Sequence, residues 1–196
     1  MMGKLKKLTG YRLFLPLSCL IIVLLINLIT TPTFFRITIN NGVLYGYIID
    51  VINRASERVV LAVGMTLVVS ASAGTDISVG AVMAVAAAVC TRVLAGGEVS
   101  VNEYANPYVL AVLAALAAAV VCGGFNGLLV AKLKIQPMVA TLILFTAGRG
   151  ISQLVTNGQI TYIRVDGYKL LGNNIPGIPI PTPIFVAVIV VALTYI

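Results

Sequence analysis

The sequence predicts an all-α fold, a polytopic bundle of transmembrane helices. Three observations carry that expectation. Of the 196 residues, 60% are hydrophobic and only 10% are charged, whereas a globular domain in water is nearer half apolar and a quarter charged. The mean hydropathy is +1.07, too high for a core of this size to hide, so lipid must be the solvent. The apolar residues also fall into long runs with few or no charges, most of them as long as or longer than the ~20 residues that cross a bilayer. Such apolarity excludes disorder. Histidine is absent, which excludes His-ligated metal sites and His-based acid/base chemistry. The net charge of +7 is spread along the chain, so it reads as topology and anionic-lipid signals; no nucleic acid partner is expected. Cys19, Cys90 and Cys122 lie in apolar runs and read as small packing residues.

Each element follows from local composition. Lys4, Lys6, Lys7 and Arg12 precede an uncharged run from Leu13 to Phe35. Its core is longer than a signal-peptide h-region and no small-x-small site follows. A cytoplasmic basic segment, 1–12, therefore leads into a single membrane domain over 13–196. Thr30, Thr31, Pro32 and Thr33 end the first span. Val43 to Ile52 is apolar but short, and Asp50, Arg54, Glu57 and Arg58 surround its end. It reads equally as an interfacial helix or as a short extra span near 43–53, and the second choice would invert everything after it.

Val59 to Thr91 carries one charge, Asp76. A single helix of that length would run ~50 Å, too long for a ~30 Å core, while two complete spans need about 40 residues. Two helices meeting at a break satisfy the arithmetic. Ala73-Gly74-Thr75-Asp76-Ile77-Ser78 supplies the break: Gly74 frees the backbone, and Asp76 or Ser78 can cap the next helix. Irregular backbone at membrane depth needs protein or a wet cavity around it. Asp76 is thus either a surface-loop cap or the mark of a polar pathway.

A polar loop from Gly96 to Pro107 holds Glu98 and Glu103, then Tyr104 to Ala131 is uncharged until Lys132 and Lys134. Pro137 opens the next span, to about Val155, and a Pro/Gly-rich loop from Thr156 leads to a last apolar run at Ile184. The expected total is about five full spans and a partial sixth. The last run is too short to cross, so the chain is expected to be a fragment cut inside that segment. The N-terminus and the Lys132/Lys134 loop fall on one side and the Glu98/Glu103 loop on the other, as the positive-inside rule prefers.

Three polar or small-residue features stand out in these spans. Ala111, Ala115, Ala119, Gly123 and Gly127 recur every fourth residue, a ladder for close helix packing. Asn126 lies between those glycines, either as interhelical glue or as polar lining. Arg149, flanked by Gly148 and Gly150, lies ~18 Å along its helix from Pro137; it either snorkels or pairs with a carboxylate, for which Asp76 is a candidate. No Gly-rich stretch carries the Lys-Ser/Thr end of an ATP site.

The blocks Gly64 to Val69, Gly74-Thr75-Asp76-Ile77-Ser78-Val79-Gly80-Ala81-Val82, Asn126-Gly127-Leu128-Leu129-Val130, Ile135 to Leu142 and Gly148-Arg149-Gly150 together resemble bacterial ABC sugar-importer permeases of the ribose type. Asn41 to Gly46 with Ile49 to Ala55 looks most like the galactofuranose branch. The family's usual Gly-Gly-Ile-Asp stands here as Ala73-Gly74-Thr75-Asp76. The resemblance implies a bacterial inner-membrane subunit of about ten spans when complete, without an ATP site of its own. Its implied partners are two ABC ATPase subunits, a second permease subunit and a periplasmic sugar-binding protein. Gly74, Asp76, Ser78, Asn126 and Arg149 are the candidates for the sugar path or its hinge, and Ala115, Ala119, Gly123 and Gly127 for helix packing. The alternatives are a proton-coupled secondary transporter, in which Asp76 carries the proton, and a membrane scaffold without transport.

Overall fold

A computed structural model describes residues 14–40, 43–165, 167–168, 172, 178 and 180–195, with the side chains of residues 32, 40 and 195 excepted. The basic residues through Arg12 lie outside them. Helix α1 spans Phe14–Thr30 and ends, as expected, where the threonines and Pro32 begin; a 3-10 turn, Pro32–Phe35, follows. Strands β1, Thr38–Asn40, and β2, Val43–Tyr45, form a small antiparallel hairpin. Helix α2 is Tyr47–Ser72, α3 Val79–Ala95, α4 Tyr108–Ala131, α5 Pro137–Val155 and α6 Thr182–Tyr195. Two-residue strands β3, Ser100–Val101, and β4, Tyr162–Ile163, pair in parallel.

The lipid-facing character is written in the side chains. Leu20, Ile21, Ile22 and Val23 of α1 are each more than half exposed. In a bilayer their polar neighbours need partners inside the same helix. Asn27 Nδ2 donates to Val23 O at 3.0 Å, and Thr30, Thr66 and Ser72 donate to the carbonyls four residues back at 2.8 Å. Helices α2, α4 and α5 are long and apolar enough to cross a membrane; α1, α3 and α6 are shorter apolar helices.

The extra short span expected near 43–53 is not a separate element. Those residues form β2 and then the first turns of α2, which runs unbroken through Asp50, Arg54, Glu57 and Arg58. The charges interrupt hydropathy but not helix propensity, since Arg and Glu are good helix formers. At 26 residues and 1.5 Å each, α2 measures ~39 Å. It overruns a ~30 Å core by ~9 Å, the length of about six residues. With that span gone, the end-to-end order does not invert.

Two junctions fix which loops share an end. The parallel pair ties the 96–107 loop to the segment after α5, with Tyr162 N–H donating to Val99 O at 2.7 Å and Arg164 N–H to Val101 O at 2.9 Å. At the other end, a Cβ at Gly74 would lie 2.6 Å from the Pro137 ring. The 73–78 break and the Lys132/Lys134 turn therefore lie together, away from Glu98 and Glu103.

Packing divides the helices into two groups. Helix α3 packs against both α4 and α5, and α2 packs instead against α6. The first group is held by small residues and by a cluster of Val85, Cys122 and Leu144, flanked by Val82, Val89 and Ala118. A Cβ at Gly148 would meet that of Ala81 at 3.1 Å, so α3 and α5 approach almost backbone to backbone, as close packing in lipid requires.

Candidate functional site

Helix α2 ends where Ala73 turns into the left-handed region, φ 51°, with its N–H still bonded to Val69 O at 2.9 Å. The turn is thus made by an alanine. Gly74 serves a different need from the freed backbone expected of it: any side chain there would strike Pro137. From Thr75 to Ser78 the chain is non-helical, and α3 starts at Val79.

The break is fastened by a chain of three polar side chains. Asp76 Oδ1 accepts from the Ser78 N–H and from the Ser78 hydroxyl, both at 2.7 Å. Asn126 Nδ2 donates to Ser78 Oγ at 2.9 Å, a link across 48 residues between α4 and the break. Ser78 is the residue that precedes α3, but its hydroxyl makes no cap bond to that helix, because Asp76 takes its proton. A further strut comes from α5, where Thr141 Oγ1 accepts the Ile77 N–H at 3.2 Å. Sequence reasoning missed Thr141. Its signal is a hydroxyl one turn after the Pro137 that opens an apolar helix.

The network dictates the orientation of the Asn126 amide. Ser78 Oγ spends its one proton on Asp76, so toward Asn126 it can only accept. Asn126 must present its NH2 group, and Oδ1 points elsewhere. Asn126 is 8% exposed, and Oδ1 is buried without a hydrogen-bond partner among the described residues. An unpaired buried carbonyl costs about 1–3 kcal/mol.

Between the two helix groups lies a cavity of about 760 Å³. One wall is α2, through Leu61, Gly64, Met65 and Val68; the facing wall is α4, through Gly123, Asn126, Gly127 and Val130; Asp76, Ser78, Lys134 and Thr141 lie at the end where the break sits. This volume falls in the range of small-molecule sites, which are mostly apolar with a few placed polar groups.

The other expected residues distribute as follows. Ala111, the first rung of the ladder, is fully buried, while Ala115 and Ala119 are half-buried. At Gly123 and Gly127 a Cβ would meet nothing within 4 Å, and both border the cavity. Arg149 is not brought to Asp76. Its guanidinium stacks 4.3 Å above the Phe145 ring, on an exposed side chain. It stands eight residues beyond Thr141, ~12 Å along α5, whereas Thr141 is the α5 residue that reaches the break.

Comparison with known proteins gives a consistent picture. The chain is 42% identical over 180 residues to the galactofuranose transporter permease of Escherichia coli K12, covering 92% of this chain and 50% of that protein. It is 36% identical over 171 residues to the fructose import permease of Bifidobacterium longum (86% and 44% covered) and 32% identical over 179 residues to the ribose import permease of Escherichia coli K12 (88% and 50%). The chain thus spans about half the length of the curated relatives it matches. No solved structure matches it. Residues 47–196, which run from the start of α2 through the break, the cavity walls and α6, match the model of one family of membrane transport proteins. The chain therefore belongs to the family described as the permease component of branched-chain amino acid transport systems.

Proposed function

We propose that the chain serves in the transmembrane permease subunit of an ABC-type monosaccharide importer of the bacterial inner membrane. The observation that carries this reading is the cavity between the α2/α6 pair and the α3–α5 group, lined at one end by a broken segment whose Asp76 and Ser78 are hydrogen-bonded in a chain to Asn126 of α4. A sugar needs hydrogen-bond partners in a wall otherwise apolar. Sugar import is also what the galactofuranose, fructose and ribose permeases are named for. No bond in the sugar is made or broken. Two ATPase subunits, a second permease subunit and a periplasmic sugar-binding protein complete the machine. ATP binding on the partners shifts the population between states in which the cavity faces one side or the other. Asp76, Ser78 and Asn126 line the path or its hinge; Arg149, away from the break, anchors α5.

Uptake tests the reading. Cells without monosaccharide uptake of their own receive the gene together with those of an ABC ATPase and a periplasmic sugar-binding protein from the same genome and are offered radiolabelled ribose, fructose and galactose. Uptake of at least one sugar, abolished by inactivating the ATPase, is expected. Uptake driven by a pH gradient without the ATPase would establish the secondary transporter instead. Self-association with no uptake of any sugar would leave a scaffold.

A further inference from the structure

Among the described residues, Asn126 is the one cavity-lining side chain that is nine-tenths buried and carries a carbonyl oxygen with no partner. Its orientation is forced, since Ser78 Oγ can only accept from it. Asp76 accepts both of its hydrogen bonds, from the Ser78 N–H and hydroxyl, at Oδ1, and among the described residues Oδ2 takes none. Two acceptors beside the polar end of the cavity are thus unspent, Asn126 Oδ1 and Asp76 Oδ2, while the Ser78 hydroxyl and the Asn126 NH2 group are already engaged with each other and with Asp76. The complementary ligand is rich in donors, as a polyol is.

We propose that Asn126 Oδ1 is the specificity-determining acceptor for one ligand hydroxyl, reached when the 73–78 segment shifts and the Ser78–Asn126 bond opens. The assignment rests on the sugar-permease reading and deepens it. In the closed arrangement the oxygen is sealed and unsatisfied; a hydroxyl supplies the missing proton in the open one. Ligand binding and release of the break are thereby linked, because the hydroxyl reaches Oδ1 only in the released arrangement. A sugar lacking that hydroxyl leaves Oδ1 unpaired and is rejected, while apolar contacts with Met65 and Val68 cannot tell the two apart.

A thiol at Gly127 reads occupancy directly. Its Cβ meets nothing within 4 Å and borders the cavity. The full chain carrying Gly127→Cys, with Cys19 and Cys90 replaced by alanine, is placed in phospholipid vesicles and labelled with a small maleimide. Probes are ribose, fructose, galactose, their monodeoxy analogues and L-leucine. At ten times its dissociation constant, a bound sugar slows labelling about tenfold. One deoxy analogue is expected to bind about tenfold more weakly than its parent. Asn126→Ala should erase that difference, so that parent and analogue protect equally. Asn126→Gln, which keeps both the amide donor and the acceptor, should retain it and serves if the alanine variant does not insert. Protection by leucine alone, or a hydroxyl preference that survives Asn126→Ala, would overturn the assignment. A sugar taken up by the complete importer yet giving no protection overturns this inference and leaves the permease reading standing; protection without ATPase-dependent uptake does the reverse.

Discussion

Three glycines offer a graded test of the packing around the break. At Gly80, a Cβ meets nothing within 4 Å; at Gly148 it meets Ala81 Cβ at 3.1 Å; at Gly74 it lies 2.6 Å from both Cβ and Cγ of Pro137. Carbon atoms rest at ~3.5–4.0 Å, so a methyl at Gly74 overlaps the ring by about 1 Å. Pro137 begins α5, and its ring cannot rotate away. The cost of such overpacking is about 1–3 kcal/mol. Less unfolded-chain freedom in alanine returns part of it, about 0.4–1 kcal/mol. Gly80→Ala, in the first turn of α3, should instead gain up to about 1 kcal/mol of helix propensity. For a chain of this size each kcal/mol moves the melting midpoint by roughly 2–4 °C. In detergent, Gly74→Ala should melt several degrees lower, Gly148→Ala slightly lower, and Gly80→Ala level or higher. A maleimide dye that fluoresces on thiols follows the transition, because Cys122 is buried in the α3–α5 group. If Gly74→Ala melts at or above the parent while Gly80→Ala falls, the contact between the break and α5 is refuted.

Asp76→Ala strands the Ser78 N–H and hydroxyl and should destabilise by about 1–3 kcal/mol, while Asp76→Asn, which keeps an acceptor oxygen, should cost less; the same dye assay measures both. A double-mutant cycle on Ser78→Ala and Asn126→Ala should return a coupling of at least about 0.5 kcal/mol, since the two side chains touch. The cycle on Asp76→Asn and Arg149→Gln should be additive within about 0.5 kcal/mol; a coupling well above that would restore the ion pair that the structure does not form. Single cysteines at Glu103 and at Lys132, in a background without native thiols, should label from opposite faces of sealed vesicles, because the two loops lie at opposite ends of the helices.

Much of this was legible because helix boundaries in lipid follow from local chemistry. Thr30 with Pro32 ends α1, Pro137 opens α5, and the single acid in Val59 to Thr91 betrays a break. The start of α2 was hidden by Asp50, Arg54 and Arg58, since a hydropathy scan ends a segment at charges that a helix itself tolerates at headgroup level. The details of the break were hidden for another reason. Ala73 carries a left-handed turn that local propensity assigns to glycine, and the need for glycine at position 74 comes from a proline 63 positions later. Ser78 with Asn126 and Ile77 with Thr141 are likewise long-range pairs. Periodicity along a single chain can nominate such residues but cannot pair them. It nominated Arg149 for Asp76 because both are charged in apolar surroundings, and the side chain found an aromatic ring instead.

The asymmetry of these bonds says where the structure can bend. Ile77 and Ser78 are tied to Thr141 on α5 and to Asn126 on α4, and Gly74 is pressed on Pro137. Everything from Gly74 onward is thus fixed to the α3–α5 group. Among the described residues, the hydrogen bonds on the α2 side of the break are local: Ala73 N–H to Val69 O, and Ser72 Oγ with the N–H and carbonyl of Gly74, both at 3.3 Å. We infer that the soft point is the Ala73–Gly74 junction, where a rotation would carry α2, with α6 packed on it, away from the α4 wall of the cavity. A polar chain inside lipid is costly to leave half-satisfied, so the bonds on the α3–α5 side should persist through such a motion, and the Ser78–Asn126 bond should open only where a ligand hydroxyl then pairs Asn126 Oδ1. Cavity opening and loss of the Ser78–Asn126 bond would then be separate steps, the first governed by helix packing and the second by the chemistry of what enters.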